Sequence, residues 1–456
     1  MRESPAESGI AGARPRVAIV GFGYVGTILG AYLAGRGFPV TAIESQAEVV
    51  RSLDEGRIHI REAGLAETLL PLLKNGSITV TSSHDGVGGA AVIIVTVGTP
   101  LGRGATPDLS ALTQVTSDIV PYLRKGQLVI AKSTVPPGTT RGLIAPILEQ
   151  RGLVAGTDFD LAYCPERLSE GNALREVPAL PVVVSGINPK SARAAEEFWR
   201  SAGLATVLVD SLEAAELVKL ADNLWIDLNV ALTNELARLC ERIGVNALEV
   251  IRAANTLHKG SGNVNFLHPG IGVGGSCLTK DPWFFADYAA SLDVKVSLPQ
   301  AGRRVNEAVP SYIVEVIVQE LARRKAREPA RVAVLGYAFK GATGDTRNTP
   351  VRSIITELVQ RGLEVGCYDP WVPSDRLREE LGSAPATTLE DCVRDASCVF
   401  VATNHPEFVG MTPESLRGSS PGCFVYDGWH ILESSLFVQA GIDYLSPGKN
   451  RRGSLS

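Results

Sequence analysis

The sequence predicts an α/β protein in which two doubly wound parallel-sheet domains are joined by a central helical domain with one long helix. Residues 16–44 and 331–369 each run from a short apolar segment, through a glycine-containing turn, to a second apolar segment. Such a sequence is typical of a βαβ unit. Between them, residues 212–243 contain neither proline nor glycine, which predicts a helix of about eight turns.

Length and composition indicate a globular protein of several domains. At 456 residues, and with ~150 residues per domain as a guide, we expect about three domains. Hydrophobic residues make up 45% and charged residues 20% of the chain, and the net charge of -5 argues against nucleic acid as the main partner. We predict a tail at 1–15, a first α/β domain at 16–208, a helical domain at 209–325, a second α/β domain at 326–446 and a tail at 447–456.

Cysteine usage and the N-terminal residues predict a cytoplasmic protein. The chain has seven cysteines and no CxxC pair, which favours a reducing compartment without a disulfide framework. Residues 1–15 lack the pattern of a signal peptide. Residues 17–35 are nearly uncharged but rich in glycine, which favours a strand and helix over a membrane span. We predict no membrane partner and no metal site.

The first βαβ unit carries a dinucleotide-binding pattern. An apolar strand at 16–20 runs into GxGxxG, and a second strand ends in Glu44 about 20 residues further on. In a Rossmann-like unit the second glycine lets the backbone reach a pyrophosphate, and the helix N-terminus faces the phosphates. Glu44 would accept from a ribose 2′-OH and repel a 2′-phosphate, so we predict NAD as cofactor; the alternative is a glycine-rich turn without ligand. The predicted cofactor-binding residues here are Gly21, Gly23, Tyr24, Val25, Gly26 and Glu44.

Further strands are predicted at 91–97, 128–131, 159–163 and 181–185. Ligands of an open parallel sheet lie beyond the carboxyl ends of its strands. Three polar residues follow such ends, namely Thr99, Thr134 and Glu166, and we treat them as candidate site residues. Each could instead serve as a helix cap or turn residue.

The segment 270–281 combines several features of a covalent catalytic site. Four glycines permit a tight turn, and they are followed by the thiol of Cys277, the cation Lys280 and the carboxylate Asp281. A nucleophile with a base four residues on suits covalent catalysis. The alternative is that Cys277 is a small buried hydrophobe, as most free cysteines are.

The predicted long helix carries a row of polar residues on one face. Glu216, Lys219, Asn223 and Asp227 are three or four residues apart. A solvated face is one interpretation; partial burial is the other, because the surrounding positions are apolar. The helix also has a stripe of leucines, at Leu217, Leu220, Leu224, Leu228 and Leu232, and offers a surface for dimerisation.

The second βαβ unit repeats the first with altered chemistry. Residues 331–340 echo 16–25, and 363–369 echo 38–44. The second copy lacks the full GxGxxG and carries Lys340 and Arg347 instead. Cations after a strand suit a phosphorylated ligand other than the dinucleotide of the first copy; a surface charge cluster is the alternative.

Six motifs, in order along the chain, resemble the UDP-glucose/GDP-mannose dehydrogenase family. They are GFGYVG, STVPPGTT, CPER with a following EG, AELVKLADN, GVGGSCLTKD and GYAFKGATGDTRNTP. The resemblance extends from about residue 15 to 445. It implies an enzyme that oxidises the C6 alcohol of a UDP-sugar twice with two NAD, giving a uronic acid, and a homodimer formed through the long helix.

The resemblance also implies roles for individual residues. Cys277 would hold a thiohemiacetal and then a thioester, Lys219 and Asn223 would stabilise the oxyanion, and Asp281 with Thr134 would position or deprotonate water. Glu166 resembles the family's acid for proton transfer. Further cofactor contacts would come from Thr99, Thr134, Lys280 and Arg347. The expected substrate contacts are Glu166, Arg167, Leu168, Lys219, Asn223, Phe266, Gly272, Gly274 and Lys340.

Departures from the family's common pattern leave the sugar open. The segment 164–167 is Cys-Pro-Glu-Arg, where UDP-glucose enzymes typically have Asn-Pro-Glu-Phe, and it is more similar to the branch acting on UDP-N-acetylhexosamines. UDP-glucose, UDP-N-acetylglucosamine, UDP-N-acetylmannosamine and TDP- or GDP-hexoses all remain candidates. The sequence is also compatible with a single-oxidation dehydrogenase of the hydroxyacid or 6-phosphogluconate kind, and with a catalytically silent NAD- or nucleotide-binding protein.

Overall fold

The structure, a computed structural model, describes residues 14–260, 262–326 and 328–449. Apart from residues 14–15 and 447–449, the two predicted tails lie outside the described residues. The chain divides into two compact units, the first formed by residues 1–99 and 108–218 and the second by 100–107 and 219–456. The boundaries of the three predicted domains stay a prediction.

The first unit is built on an eight-stranded sheet with strand order β3-β2-β1-β4-β5-β6-β7-β8. Neighbouring strands are parallel except that β7 runs antiparallel to β6. The first six strands have the doubly wound order in which the chain reverses direction beside β1. The strands are β1 Val17–Val20, β2 Val40–Ile43, β3 Ile78–Thr81, β4 Val92–Val95, β5 Leu128–Ala131, β6 Asp160–Tyr163, β7 Val182–Gly186 and β8 Thr206–Leu208.

Helices cover both faces of this sheet. They are α1 Tyr24–Gly35, α2 Ala47–Asp54, α3 Leu65–Lys74, α4 Ser110–Ile119, α5 Ala145–Leu148, α6 Ala173–Ala179 and α7 Pro189–Ser201. Alternate residues of β1 enter opposite cores: Val17 and Ile19 pack in one, Ala18 and Val20 in the other. A strand buried on both faces is apolar throughout, which is why the central strands could be predicted from apolar runs.

The long helix α8 spans Leu212–Ile243, the bounds expected from the absence of proline and glycine. Its polar row is buried, at Glu216, Lys219, Asn223 and Asp227. The leucine stripe is mixed, because Leu220 is buried while Leu217 and Leu232 are exposed. The face that packs inward is therefore the one that carries the polar row, and these polar groups find partners described below.

The second unit contains a set of helices followed by a second sheet. After α8 come α9 Ala247–Ala254, a short hairpin of β9 His258–Lys259 and β10 Gly262–Asn263, α10 Asp281–Ser291 and α11 Leu298–Arg323. The sheet strands are β11 Arg331–Leu335, β12 Glu364–Tyr368, β13 Cys398–Val401, β14 Phe424–Asp427 and β15 Tyr444–Leu445. The remaining helices are α12 Pro350–Gln360, α13 Ser374–Leu381, α14 Leu389–Val393, α15 Pro406–Val409 and α16 Ser434–Gln439.

The second sheet repeats the arrangement of the first. Its order is β12-β11-β13-β14-β15, and all of its neighbouring strands are parallel. Apolar cores lie on both of its faces. The predicted fold class, two doubly wound sheets with a long central helix, is confirmed. In the described parts of the chain, no helix is both long enough and apolar enough to cross a membrane.

Candidate active site

Cys277 differs from the other cysteines in its exposure. All seven cysteines lie in described parts of the chain; Cys277 is exposed and the other six are buried. Cys277 precedes α10. Its backbone carbonyl accepts from the N–H groups of Lys280 at 3.0 Å and Asp281 at 2.9 Å. Thr279 Oγ1 donates to the Gly275 carbonyl at 2.6 Å. These bonds close the loop into a turn that leaves the sulfur accessible.

A buried carboxylate, that of Asp281, follows this loop and binds two other predicted site residues. Asp281 is fully buried. Its Oδ2 accepts from Asn223 Nδ2 and its Oδ1 from Lys280 Nζ, both at 2.5 Å. Lys219, also buried, lies four residues before Asn223 on the same face of α8. The structure thus pairs Lys280, predicted as a cofactor contact, with Asp281, and the buried polar row of α8 is not a solvated face.

A second buried carboxylate supports the same loop. Asp227 Oδ1 accepts from Arg303 Nη1 at 2.9 Å and Asn306 Nδ2 at 2.8 Å. Arg303 Nη1 also lies 3.5 Å from the carbonyl of Leu278, the residue after Cys277. Burial raises the pKa of Asp227, and the Arg303 charge opposes that rise. Arg303 was not predicted from the sequence, since its partner lies 76 residues away.

The glycines before Cys277 are needed because the loop packs closely against the segment 339–350. A Cβ at Gly274 would lie 2.6 Å from the Phe339 Cβ, and one at Gly275 would lie 2.9 Å from the Phe339 ring. Gly275 N–H donates to the Arg347 carbonyl at 3.0 Å. The segment with the predicted nucleotide-binding cations is thereby in contact with the cysteine loop.

The two cations of that segment are placed differently. The Arg347 guanidinium binds Asp345, with Nε 2.8 Å from Oδ2. Lys340 is half-buried. The predicted substrate residue Phe266 is held through its backbone, which donates to Asn255 Oδ1 at 2.7 Å and accepts from Asn255 Nδ2 at 3.0 Å. A Cβ at Gly272, where φ is +109°, would lie 3.1 Å from the Asn306 carbonyl.

The glycine-rich turn of the first unit has the shape that a dinucleotide requires. Gly21 has φ +91°, and a Cβ at Gly26 would lie 2.1 Å from the Gly21 carbonyl oxygen. A Cβ at Gly23 would meet nothing within 4 Å, so the space at this glycine is open. Helical bonding begins with Thr27 N–H donating to the Gly23 carbonyl at 3.0 Å. The N–H groups of the first turn of α1 therefore have no acceptor within the helix, as in a pyrophosphate site.

The acid that ends the second strand braces the turn in both copies. Glu44 is buried, and its Oε2 accepts from Phe22 N–H at 2.9 Å. In the second copy Asp369 Oδ2 accepts from Tyr337 N–H at 2.6 Å and lies 3.0 Å from His405 Nε2. Burial opposes ionisation of Asp369, but the interaction with His405 and the hydrogen bonds from the Ala338 and Tyr337 N–H groups together lower its pKa.

The other predicted residues of the first unit lie on three loops, which follow β4, β5 and β6. Thr99 Oγ1 donates to the Thr134 carbonyl at 2.6 Å, so its hydroxyl joins these two strand ends. Glu166 Oε1 accepts from the N–H groups of Arg167 and Leu168, each at 2.7 Å. Its carboxylate therefore shapes the turn that carries three of the predicted substrate contacts, namely Glu166 itself, Arg167 and Leu168.

A buried lysine holds the start of that turn. Lys132 Nζ donates to the Cys164 carbonyl at 3.2 Å and lies 3.6 Å from Glu166 Oε2. Trp199 packs beside it, with Lys132 Nζ 5.3 Å from the ring centroid. Sequence patterns did not indicate Lys132, because it precedes the STVPPGTT motif and its partners lie on another strand end.

Together, a dinucleotide-shaped turn, a second doubly wound sheet and an exposed thiol four residues before a buried carboxylate indicate a nucleotide-binding dehydrogenase. Comparison with known proteins gives the family. Three models of the UDP-glucose/GDP-mannose dehydrogenase family match: the NAD-binding domain at residues 15–202, the central domain at 213–308 and the UDP-binding domain at 333–434. The chain belongs to this family, and the resemblance drawn from its motifs is confirmed.

Individual relatives are similar over nearly the whole chain. A UDP-N-acetyl-D-mannosamine dehydrogenase from Pyrococcus horikoshii is 34% identical, and the alignment covers 92% of this chain and 96% of the relative. A UDP-N-acetyl-D-glucosamine 6-dehydrogenase from Pseudomonas aeruginosa is 33% identical, covering 88% and 93%. The solved structure of a UDP-glucose dehydrogenase from Pyrobaculum islandicum has a TM-score of 0.84 and 28% identity, covering 96% and 99%. This protein is an NAD-dependent nucleotide-sugar dehydrogenase.

Proposed function

We propose that the enzyme oxidises the C6 primary alcohol of a UDP-N-acetylhexosamine to the carboxylate, with UDP-N-acetylmannosamine as the first candidate. The observation that carries the two-step reaction is the exposure of Cys277 alone among seven cysteines. The overall change balances as R–CH2OH + 2 NAD⁺ + H2O → R–COO⁻ + 2 NADH + 3 H⁺. NAD supplies the oxidising power by accepting one hydride in each of two steps.

Cys277 retains the intermediate between the two oxidations. The first oxidation converts the alcohol to an aldehyde, and the thiolate then adds to the carbonyl carbon, forming a C–S bond and an oxyanion that takes a proton. Oxidation of this thiohemiacetal gives a thioester. Water attacks the thioester carbon, the C–S bond breaks, Cys277 is regenerated as the thiol, and the carboxylate product is released together with a proton. Covalent attachment prevents the release of a reactive aldehyde.

We assign the electrostatics and proton transfers of these steps to five of the predicted site residues. We assign oxyanion stabilisation to Lys219 and Asn223, since a cation and an amide donor aimed at a developing charge lower the barrier. The contact between Asn223 and Asp281 fixes the orientation of the amide. Asp281 is assigned to positioning or deprotonating the hydrolytic water, together with Thr134. Glu166 is assigned to proton transfer.

We assign cofactor binding to the glycine-rich turn, whose open space at Gly23 fits a pyrophosphate. Glu44 stands at the end of β2, where its carboxylate would accept from the ribose and repel a 2′-phosphate. Lys280 and Arg347 are paired with Asp281 and Asp345. Their assignment to the cofactor therefore requires these pairs to exchange partners.

The N-acetylated sugar is supported by the turn 164–168 and by the similarity to dehydrogenases of UDP-N-acetylhexosamines. Arg167 follows Glu166 in the CPER motif, and we assign it and Leu168 to the C2 substituent. Phe266, Gly272, Gly274 and Lys340 complete the proposed substrate contacts. UDP-glucose is the second candidate, because the solved UDP-glucose dehydrogenase has the same fold at a TM-score of 0.84.

A substrate panel tests the proposal directly. The purified enzyme is given NAD and, one at a time, UDP-N-acetylmannosamine, UDP-N-acetylglucosamine, UDP-glucose, a TDP-hexose and GDP-mannose. We expect the highest kcat/KM with an N-acetylated UDP-sugar. A preference of about tenfold for UDP-glucose would contradict the assignment of Arg167, since a mismatched sugar substituent is worth at least that factor. Binding of NADH without turnover of any sugar would support a catalytically silent protein.

We also propose a homodimer formed through α8. The exposed apolar residues Trp225, Leu232, Leu239 and Ile243 are 48%, 51%, 58% and 60% exposed. Their spacing of seven, seven and four residues places them on one face of the helix. A continuous apolar face of this kind marks an interaction site, and a second copy of the same helix matches it.

The free state of all seven cysteines supports a reducing, cytoplasmic location.

A further inference from the structure

Glu62 is a buried carboxylate that joins two loops of the first unit, and neither the motifs nor the proposed mechanism uses it. It lies between α2 and α3 and is buried. Its Oε2 accepts from Tyr24 Oη at 2.6 Å and from Gly171 N–H at 2.8 Å. Its Oε1 accepts from Ala173 N–H at 2.8 Å. One side chain thus binds segments that lie 38 and 109 residues away in the sequence.

The two segments that meet at Glu62 are those to which cofactor and sugar binding were assigned. Tyr24 is the first residue of α1 and belongs to the glycine-rich turn. Gly171 and Ala173 follow the turn 164–168 and lead into α6. Three residues before Glu62, His59 Nε2 lies 2.9 Å from the Phe22 carbonyl. The stretch 59–62 therefore contacts the cofactor turn twice and the end of the sugar loop twice.

The chemistry of the contact makes it sensitive to movement on either side. A buried carboxylate is costly unless hydrogen-bond donors surround it, and here the donors come from both segments. Tyr24 and Gly171 share a single oxygen, and Gly171 N–H also lies 3.3 Å from Tyr24 Oη. Burial and the neighbouring Glu62 raise the pKa of Tyr24, so the phenol stays protonated and donates.

We propose that Glu62 is a positioning residue that couples the glycine-rich cofactor turn to the loop 164–173, so that occupancy of one favours the binding-competent form of the other. The cofactor half of the inference depends on the family's NAD-binding domain, and the sugar half rests on the proposed function. Two single substitutions separate the bonds. Glu62→Gln keeps the shape but places an NH2 group against a backbone N–H. Tyr24→Phe removes the hydroxyl through which the cofactor turn donates to Glu62, together with the longer contact of that hydroxyl with Gly171 N–H.

The first measurement is the affinity for NADH, which is monitored through the fluorescence of NADH. This affinity does not depend on the identity of the sugar. Glu62→Gln is expected to weaken NADH binding by about tenfold, because a charged hydrogen bond across the contact is lost. Tyr24→Phe is expected to weaken it by about fivefold. The matched control is Glu67→Gln, an exposed carboxylate in the first turn of α3, with no change expected. Unchanged NADH affinity in both test variants overturns the proposal.

The second measurement is the NADH affinity with and without saturating UDP-N-acetylmannosamine. In the wild type we expect the sugar nucleotide to change NADH affinity by at least about fivefold. Both variants should bring this ratio close to one, and Tyr24→Phe should do so with the two backbone bonds of Glu62 still in place. A lower melting temperature with the wild-type ratio would make Glu62 a structural residue only and overturn the coupling.

Failure of the substrate proposal gives a different result. If the wild type binds NADH but not the N-acetylated UDP-sugar, that substrate assignment is wrong, while unchanged NADH affinity in both variants would still overturn the Glu62 proposal. If it turns over another UDP-sugar of the panel, the ratio is measured with that compound. Weakened NADH affinity with a retained wild-type ratio would show that Glu62 shapes the cofactor turn without linking it to the loop.

Discussion

Replacing Glu216 with glutamine should change how the stability of the enzyme depends on pH. Glu216 is the fully buried carboxylate in the first turns of α8. Its Oε2 accepts from Gly138 N–H at 2.5 Å and its Oε1 from Thr140 N–H at 2.7 Å. Burial raises its pKa from 4.5 to about 7, although the two backbone donors act in the opposite direction.

The direction and size of the effect follow from this pKa. Between pH 4.5 and about 7 the folded chain holds a proton that the unfolded chain has released. Raising the pH through this window therefore removes stability, by about 3 kcal/mol in total. A glutamine at this position cannot ionise. The unfolding free energy of Glu216→Gln minus that of the wild type should grow by about 2–3 kcal/mol between about pH 5 and about pH 8.

Urea unfolding of both proteins across this pH range measures the difference. The control is Glu213→Gln, because the pKa of Glu213 is lowered by its hydrogen bond to Arg141, and its contribution to stability is lost only as the pH falls below its ordinary value. The control difference should change much less than that of Glu216→Gln above about pH 5, because Glu213 is only a minor cause of the raised pKa of Glu216. If the Glu216→Gln difference shrinks with rising pH, the donors from Gly138 and Thr140 outweigh burial and the reasoning is wrong.

Three further predictions concern the cofactor, the cysteine loop and the dimer. Glu44→Gln should raise the ratio of kcat/KM for NADP to that for NAD by about tenfold, because it removes the charge that we propose repels a 2′-phosphate; an unchanged ratio refutes that role. Arg303→Met should lower the unfolding free energy by about 3–5 kcal/mol, since it leaves Asp227 buried without its cation, whereas the exposed neighbour Arg304→Met should cost less than about 0.5 kcal/mol. Trp225→Glu should convert the proposed dimer to monomer in analytical ultracentrifugation, and a dimer that persists in this variant would place the interface elsewhere.

Apolar runs and helix punctuation predicted most of the fold. The bounds of α8 and of β5 coincide with those expected, because a helix without Gly or Pro and a strand buried on both faces have simple signatures. The edge strands β3, β8 and β15 were missed. They are two to four residues long, and β3 and β8 are only partly buried, so neither a continuous apolar run nor a clear alternation marks them.

The candidate site was predicted where its residues are close in sequence. The loop from Gly272 to Asp281 and the polar row of α8 are both local patterns, and the structure joins them through Asn223 and Asp281. The buried groups that brace the site were not predicted. Arg303, Glu62 and Lys132 have partners 76, 109 and 32 residues away, and a single sequence holds no signal for contacts at such separations.

The number of NADH formed per molecule of sugar tests the central claim most directly. A limiting, weighed amount of the preferred UDP-sugar is consumed to completion with excess NAD, the NADH is read by absorbance, and the product is identified by mass spectrometry. Retention of the aldehyde on Cys277 predicts two NADH and a uronic acid for each sugar. One NADH with a free aldehyde product would contradict the covalent mechanism.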